Sequence, residues 1–175
     1  MPSLWISLSG SLPQGIGLDH FSQWLRSLKP LGYLAVDTSG PALNAAIRAK
    51  PDVIKPNQDE LAAVGLNANQ IWQQHGVKVL LSKGADGLEY HGPEGSFFQA
   101  TASIHPVNTV GAGDATLAGF LLALAQGLPI SEALALAAAC GAANAEQAVA
   151  GRVDPARVEQ LRQTIAPAQM IEVVQ

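Results

Sequence analysis

The chain has 175 residues, a single cysteine and a formal net charge of −4, with 48 % hydrophobic and 14 % charged residues. That length fits one compact domain or the larger part of one, and so apolar a composition excludes intrinsic disorder. With no basic cluster to displace phosphate counterions, nonspecific nucleic-acid binding is excluded, and Cys140 by itself builds neither a disulfide framework nor a cysteine zinc site.

In chain order, Met1–Leu12 reads as a strand running into a Gly/Ser/Pro loop, with no basic leader pattern before it. Leu18, Phe21, Leu25 and Leu28 recur at helical spacing and stop at Lys29-Pro30. A strand at Tyr33–Val36 leads through Asp37-Thr38-Ser39-Gly40 into a helix over Pro41–Ala49, whose proline suits the first turn. Val53-Ile54 forms the next strand, and Gln58–His75 holds two short helices separated near Gly65. Val77–Leu81 is a further strand, with shorter ones expected at Leu88–His91, Ser96–Gln99 and Ile104–Val107. Two Ala/Leu helices follow over Ala115–Gln126 and Ser131–Ala148, then a helix over Asp154–Ile165 and a strand at Met170–Val174. Such alternation predicts a doubly wound α/β fold, parallel in its centre. The uncharged stretch Ala115–Ser131 falls short of the ~20 residues a membrane span needs and is broken at Gly127 and Pro129. A cytoplasmic protein without membrane contact is therefore expected.

Chemistry concentrates at Asn108-Thr109-Val110-Gly111-Ala112-Gly113-Asp114, directly before a helix. Glycines around one small residue let backbone N–H groups converge on an anion, and the helix end adds partial positive charge. Asp114 then stands where a carboxylate can take a proton from an attacking alcohol. The same residues also suit a plain tight turn with an acidic first-turn residue. Ser82–Gly87 is a glycine-bearing turn at a strand's carboxyl end, where open α/β sheets bind ligands, or only a turn. Asn57-Gln58-Asp59-Glu60 suits either an outer shell for Mg²⁺ or a helix N-cap. Neither the P-loop nor the dinucleotide glycine signature occurs. His20, His75, His91 and His105 lack metal-ligand spacing; Cys140 reads as a small buried hydrophobe, and Trp5, Trp24 and Trp72 as packing residues.

Taken in order, Ser9–Gly15, Ile54-Lys55-Pro56-Asn57-Gln58-Asp59-Glu60-Leu61, Ser82–Gly87 and Thr109–Asp114 resemble the ribokinase-like phosphofructokinase B family of sugar kinases. Within it they are most similar to the branch of 1-phosphofructokinase, tagatose-6-phosphate kinase and the minor 6-phosphofructokinase. The resemblance runs along nearly the whole chain and implies ATP-dependent phosphorylation of a sugar phosphate, with fructose 1-phosphate the expected acceptor, tagatose 6-phosphate or fructose 6-phosphate the alternative acceptors, and ATP and Mg²⁺ the cofactors; turnover is expected to be impaired in so short a chain, a noncatalytic nucleotide-binding remnant being the other reading. It implies Asp114 as general base beside the sugar hydroxyl, with Gly111, Ala112 and Gly113 as anion hole. It also implies Lys55 and Asn57 toward the nucleotide phosphates, Asn57 and Glu60 near Mg²⁺, and Ser82, Gly84 and Gly87 along the phosphates. Val107, Thr109, Ala142 and Asn144 would wall the adenine pocket, and Gly10 and Ser11 would border the sugar phosphate. Lys83 departs from the family pattern, which has a small or apolar residue there, and is expected to point to solvent. The stretch between Asn57 and Ser82 is shorter than in typical relatives. The resemblance further implies that residues 1–175 form the C-terminal, nucleotide-binding and catalytic-base portion of the domain, without the N-terminal strands and β-sheet lid. Association with another copy, or with an N-terminal portion, is expected along the exposed sheet edge.

Overall fold

The computed structural model describes residues 4–172; the ends of the expected first and last strands, at Met1–Ser3 and 173–174, lie outside the described residues. Its seven strands are β1 (Trp5–Ser9), β2 (Tyr33–Asp37), β3 (Val53–Ile54), β4 (Lys78–Ser82), β5 (Leu88–Gly92), β6 (Gly95–Gln99) and β7 (Gln169–Met170). The helices are α1 (Leu18–Leu28), α2 (Pro41–Ala49), α3 (Gln58–Val64), α4 (Ala68–His75), α5 (Ala112–Ala125), α6 (Ile130–Ala145) and α7 (Pro155–Thr164). One sheet takes the strands in sequence order; β1 to β4 pair in parallel, whereas β6 and β7 pair antiparallel. The mixed, mostly parallel α/β sheet expected from the alternation is present.

The chain divides into two compact units. The first holds β1 to β4 with α1 to α4, together with Glu89–Ser96. Each β–α–β step moves one strand along the sheet, and right-handed crossovers then put the connecting helices on one face. Side-chain alternation supplies their core: Leu34, Val36, Ile54, Val79 and Leu81 pack with Phe21, Leu25, Leu43, Ile47 and Ile71, while Ile6 and Leu8 of β1 lie against the rim. Ala35, Val53 and Leu80 are also fully buried. These strands are therefore continuous apolar runs, as parallel strands covered on both faces must be.

The second unit comprises Gly84–Leu88 and Phe97–Ile171. In it α5 and α6 approach closely enough that small residues are obligatory. A Cβ on Gly141 would overlap Thr116 Oγ1, and one on Gly119 would sit 2.8 Å from Cys140 Sγ. Cys140 is only partly buried, though burial pushes its thiol pKa up. Among the described residues no helix is long and apolar enough to cross a membrane.

Ile104–Val107 does not form the expected strand. Pro106 removes a donor, and the N–H groups of Val107 and Asn108 both donate to Ala145 O, at 2.7 and 3.0 Å. The segment satisfies the last carbonyl of α6 instead of joining a sheet.

Candidate active site

In the first unit, the carboxyl ends of the parallel strands bring together Gly10, Asp37, Lys55, Asn57 and Ser82. Gly10 N–H donates to Asp37 O at 2.9 Å, extending the ladder one residue past the end of β1. Lys55 is buried to 5 % exposure, and its Nζ lies 2.9 Å from Asp37 Oδ2. Its ammonium is thus held by a carboxylate instead of standing free toward a phosphate. A side chain with a fixed charge at 5 % exposure needs such a partner, because burying an unpaired charge costs several kcal/mol. Asp37 was not among the residues singled out from the sequence, although the carboxylate and hydroxyl of Asp37-Thr38 at a strand's end are the signal that would have found it. Thr38 Oγ1 is buried with no hydrogen-bond partner among the described residues. Ser11 is exposed.

Asn57 and Glu60 form a reciprocal N-terminal cap on α3. Asn57 Oδ1 accepts from Glu60 N–H, and Glu60 Oε2 accepts from Asn57 N–H, each at 2.8 Å. The cap uses one oxygen from each side chain and leaves Glu60 Oε1. No group of three or more His, Cys, Asp or Glu able to hold a metal occurs among the described residues. The residues present therefore fit Mg²⁺ only as it is commonly bound beside nucleotides, by one carboxylate, waters and phosphate oxygens. Ser82 bridges to Asn57 across β3–β4, and its N–H donates to Pro56 O at 2.9 Å. Lys83 does not point freely to solvent: its Nζ donates to Glu89 Oε1 at 2.7 Å, both side chains being about four-fifths buried.

The second unit carries the glycine loops. Gly84 (φ +60°) is exposed with open space where a Cβ would stand, but Gly87 (φ +118°) is buried and its missing Cβ lets Gln99 O approach. The absence of a side chain at Gly87 thus serves chain packing. The helix α5 begins at Ala112, three residues earlier than its apolar run predicts, after Gly111 in the left-handed region at φ +84°. Ala112 N–H donates to Thr109 O (3.1 Å) and Val110 N–H to Asn108 Oδ1 (3.0 Å). The Ala112 N–H thus closes the turn in this structure, unlike the donors that follow it. The N–H groups of Gly111, Gly113 and Asp114 have no hydrogen-bond acceptor among the described residues, and the Asp114 side chain is exposed at the same helix end.

Asn144 is fully buried. Its Nδ2 donates to Arg152 O at 3.0 Å, and its Oδ1 lies 3.5 Å from where a Gly111 Cβ would be. It braces the 146–152 loop against the Gly111 turn, so its side chain is not an open pocket wall. Ala142 is likewise buried, whereas Val107 and Thr109 are exposed. The same loop is anchored by Glu146, whose carboxylate accepts from Arg157 at 2.6 and 2.8 Å; that bond holds its pKa below the usual value.

A glycine turn opening a helix with unspent amides beside an exposed aspartate, and a parallel sheet with polar strand ends, are the features that carry the resemblance to the phosphofructokinase B family. Residues 4–157 match the pfkB family of carbohydrate kinases. The chain belongs to that family. Among curated proteins, this PfkB chain is 36 % identical over 162 residues to the 1-phosphofructokinase of Haemophilus influenzae, covering 85 % of the chain and 52 % of the relative. It is 33 % identical over 178 residues to the D-tagatose-1-phosphate kinase of Klebsiella oxytoca, covering 95 % and 58 %. Among solved structures, phosphofructokinase-2 from Escherichia coli in complex with potassium superposes with a TM-score of 0.85 at 25 % identity, over 91 % of this chain and 56 % of that one. The PfkB chain thus spans about half the length of the relatives it matches, and its fold is ribokinase-like.

Proposed function

We propose that this chain carries the nucleotide-phosphate and proton-accepting part of an ATP-dependent sugar-phosphate kinase whose acceptor is fructose 1-phosphate. The observation that carries the reading is the first turn of α5: Gly111, Gly113 and Asp114 present unspent N–H groups, and the exposed Asp114 carboxylate stands beside them. Those amides offer fixed positive charge to a phosphoryl group in transfer, where preorganised donors need no reorganisation as negative charge grows. Asp114 orients the acceptor hydroxyl and takes its proton as the new P–O bond forms. Lys55, held by Asp37, sets positive charge among the strand ends of the first unit, and Glu60 Oε1 is the carboxylate oxygen left to meet a hydrated Mg²⁺. ATP is the phosphoryl donor, and Mg²⁺ neutralises its phosphate charge. The name of the Haemophilus relative supports fructose 1-phosphate, and that of the Klebsiella relative supports tagatose 1-phosphate as the second acceptor to assay.

Calorimetry with MgATP tests the first half of the reading. Binding is expected, and Gly113→Val, which adds a branched side chain in the first turn that carries the amides, is expected to weaken it about tenfold, the loss of ~1.4 kcal/mol. A coupled assay with fructose 1-phosphate tests the second half, and Asp114→Asn is expected to cut turnover by about 10²–10⁴. Because the chain spans about half of its relatives, a noncatalytic nucleotide-binding role is the second reading. Binding without turnover favours it, and no MgATP binding at millimolar nucleotide overturns both.

A further inference from the structure

Among the described residues of the first unit, two lysines follow the carboxyl ends of parallel strands, Lys55 after β3 and Lys83 after β4. The unit's other lysines and arginines, Arg26, Lys29, Arg48, Lys50 and Lys78, lie before or at the start of a strand. Lys55 is enclosed with Asp37, whereas the side chains of Lys83 and Glu89 remain 23 % and 21 % exposed. Glu89 also has a second neighbour. Its Oε1 accepts from Lys83 Nζ at 2.7 Å, while its Oε2 faces His91 Nε2 at 3.7 Å, too far for a hydrogen bond. His91 is buried, and that nitrogen has no hydrogen-bond partner among the described residues; its Nδ1 lies 2.9 Å from Ser96 Oγ. Lys83, Glu89, His91 and Ser96 all belong to the first unit. Glu94, the other carboxylate of the β5–β6 hairpin, accepts from Tyr90 Oη instead.

We propose that Lys83 is a phosphate ligand held in reserve by Glu89, and that on nucleotide binding it passes to the outer phosphates while His91 takes up a proton and replaces it at Glu89. This rests on the nucleotide-phosphate reading above. Lys83 directly follows a parallel strand, at the end where open α/β sheets bind ligands. Its long stem is flexible and carries three donors on one point charge. A partly exposed ion pair is weak, so a polyphosphate with several charges competes well for the ammonium. Departure of Lys83 leaves Glu89 as a mostly buried carboxylate without a cation, and such a group raises the proton affinity of its neighbours. The neutral His91 ring carries its hydrogen on Nε2, because the other tautomer would set a lone pair against Glu89; Ser96 Oγ then donates to Nδ1. A proton taken from solvent onto Nδ1 turns the Ser96 hydroxyl into the acceptor and makes the ring a cation beside Glu89. With Lys83 in place, burial holds the His91 pKa below 6.5 against the pull of Glu89. Once Lys83 has left, that pull acts without a competing cation and the pKa rises.

Calorimetry of the 175-residue chain with MgATP, run at about pH 6.5 in buffers of different ionisation enthalpy, counts the protons exchanged on binding. Wild type is expected to take up a fraction of a proton more than His91→Asn, whose count reports the nucleotide's own ionisation. Lys83→Met is expected to bind MgATP about tenfold more weakly. It is also expected to lose the extra uptake, since Glu89 then draws a proton onto His91 before nucleotide arrives. Should Lys83→Met misfold, NMR titration of the His91 ring in the unaltered chain decides. Saturating MgATP is expected to raise its pKa, and adenosine, which has no phosphates, is not. Equal proton counts in wild type and His91→Asn, a His91 pKa unmoved by MgATP, or wild-type affinity in Lys83→Met would each overturn this proposal and leave the proposed function standing. Absence of MgATP binding overturns both.

Discussion

Gly111 is caught between two demands. Its φ of +84° lies where L side chains are strained, and a Cβ there would stand 2.7 Å from Gly151 N. Gly111→Ala is accordingly expected to lose about 1–3 kcal/mol, read as a lower urea midpoint, and to shift the Asn144-braced loop with it. Gly10, also at positive φ (+113°) but with open space around the missing Cβ, is expected to lose less when changed to alanine, because strain acts there without a clash. Lys55 and Asp37 illustrate the other way a residue is fixed. Their ion pair is 6 % and 17 % exposed, so removing one partner strands a charge in a poorly solvated place and is expected to cost about 3–5 kcal/mol. The double variant Lys55→Met/Asp37→Leu is expected to recover most of that loss in urea unfolding, while the nucleotide affinity stays impaired.

Among the elements, two short helices share one device. Asn57 with Glu60 caps α3, and Asn67 with Gln70 caps α4 by the same reciprocal bonds. Changing either asparagine to alanine is expected to cost about 1 kcal/mol. If Asn57 and Glu60 also meet Mg²⁺, only Asn57→Ala weakens MgATP binding in calorimetry, and Asn67→Ala is the control for stability alone. The β5–β6 strands carry a titrating group of their own. His91 is buried, its Nδ1 lies 2.9 Å from Ser96 Oγ, and its Nε2 lies 3.7 Å from Glu89 Oε2. Burial lowers its pKa from 6.5, against the smaller opposing pull of Glu89. The folded chain therefore binds fewer protons at this site than the unfolded one below about pH 6.5, and stability falls as pH drops through that value toward the folded pKa. Thermal melts between pH 7.5 and 5 are expected to show that decline, and His91→Asn is expected to flatten part of it.

For the whole molecule, ligand linkage gives the broadest check. On the proposed function, MgATP at ten times its Kd is expected to add ~1.4 kcal/mol to the folded state, which for a chain of this size would raise Tm by about 3–6 °C; Gly113→Val is expected to reduce that rise at the same nucleotide concentration. Period and punctuation alone placed nearly every helix and strand: the break between α3 and α4 falls at Gly65, and Pro41 opens α2. They did so because burial of one face imposes a repeat on neighbouring residues, which a linear reading can see. Ile104–Val107 escaped it, since that segment's fate depends on Ala145 O, distant in sequence. The candidate site divides in the same way. Gly111, Gly113 and Asp114 sit together in one local motif, so their placement at one helix end could be read from the chain as a string. The Lys55–Asp37 pair, the packing duty of Gly87, the spending of Ala112 N–H and the enclosure of Asn144 became visible only in three dimensions. A hydrogen bond or an ion pair saturates a group by distance in space, and no spacing along the sequence records which of several remote partners will claim it.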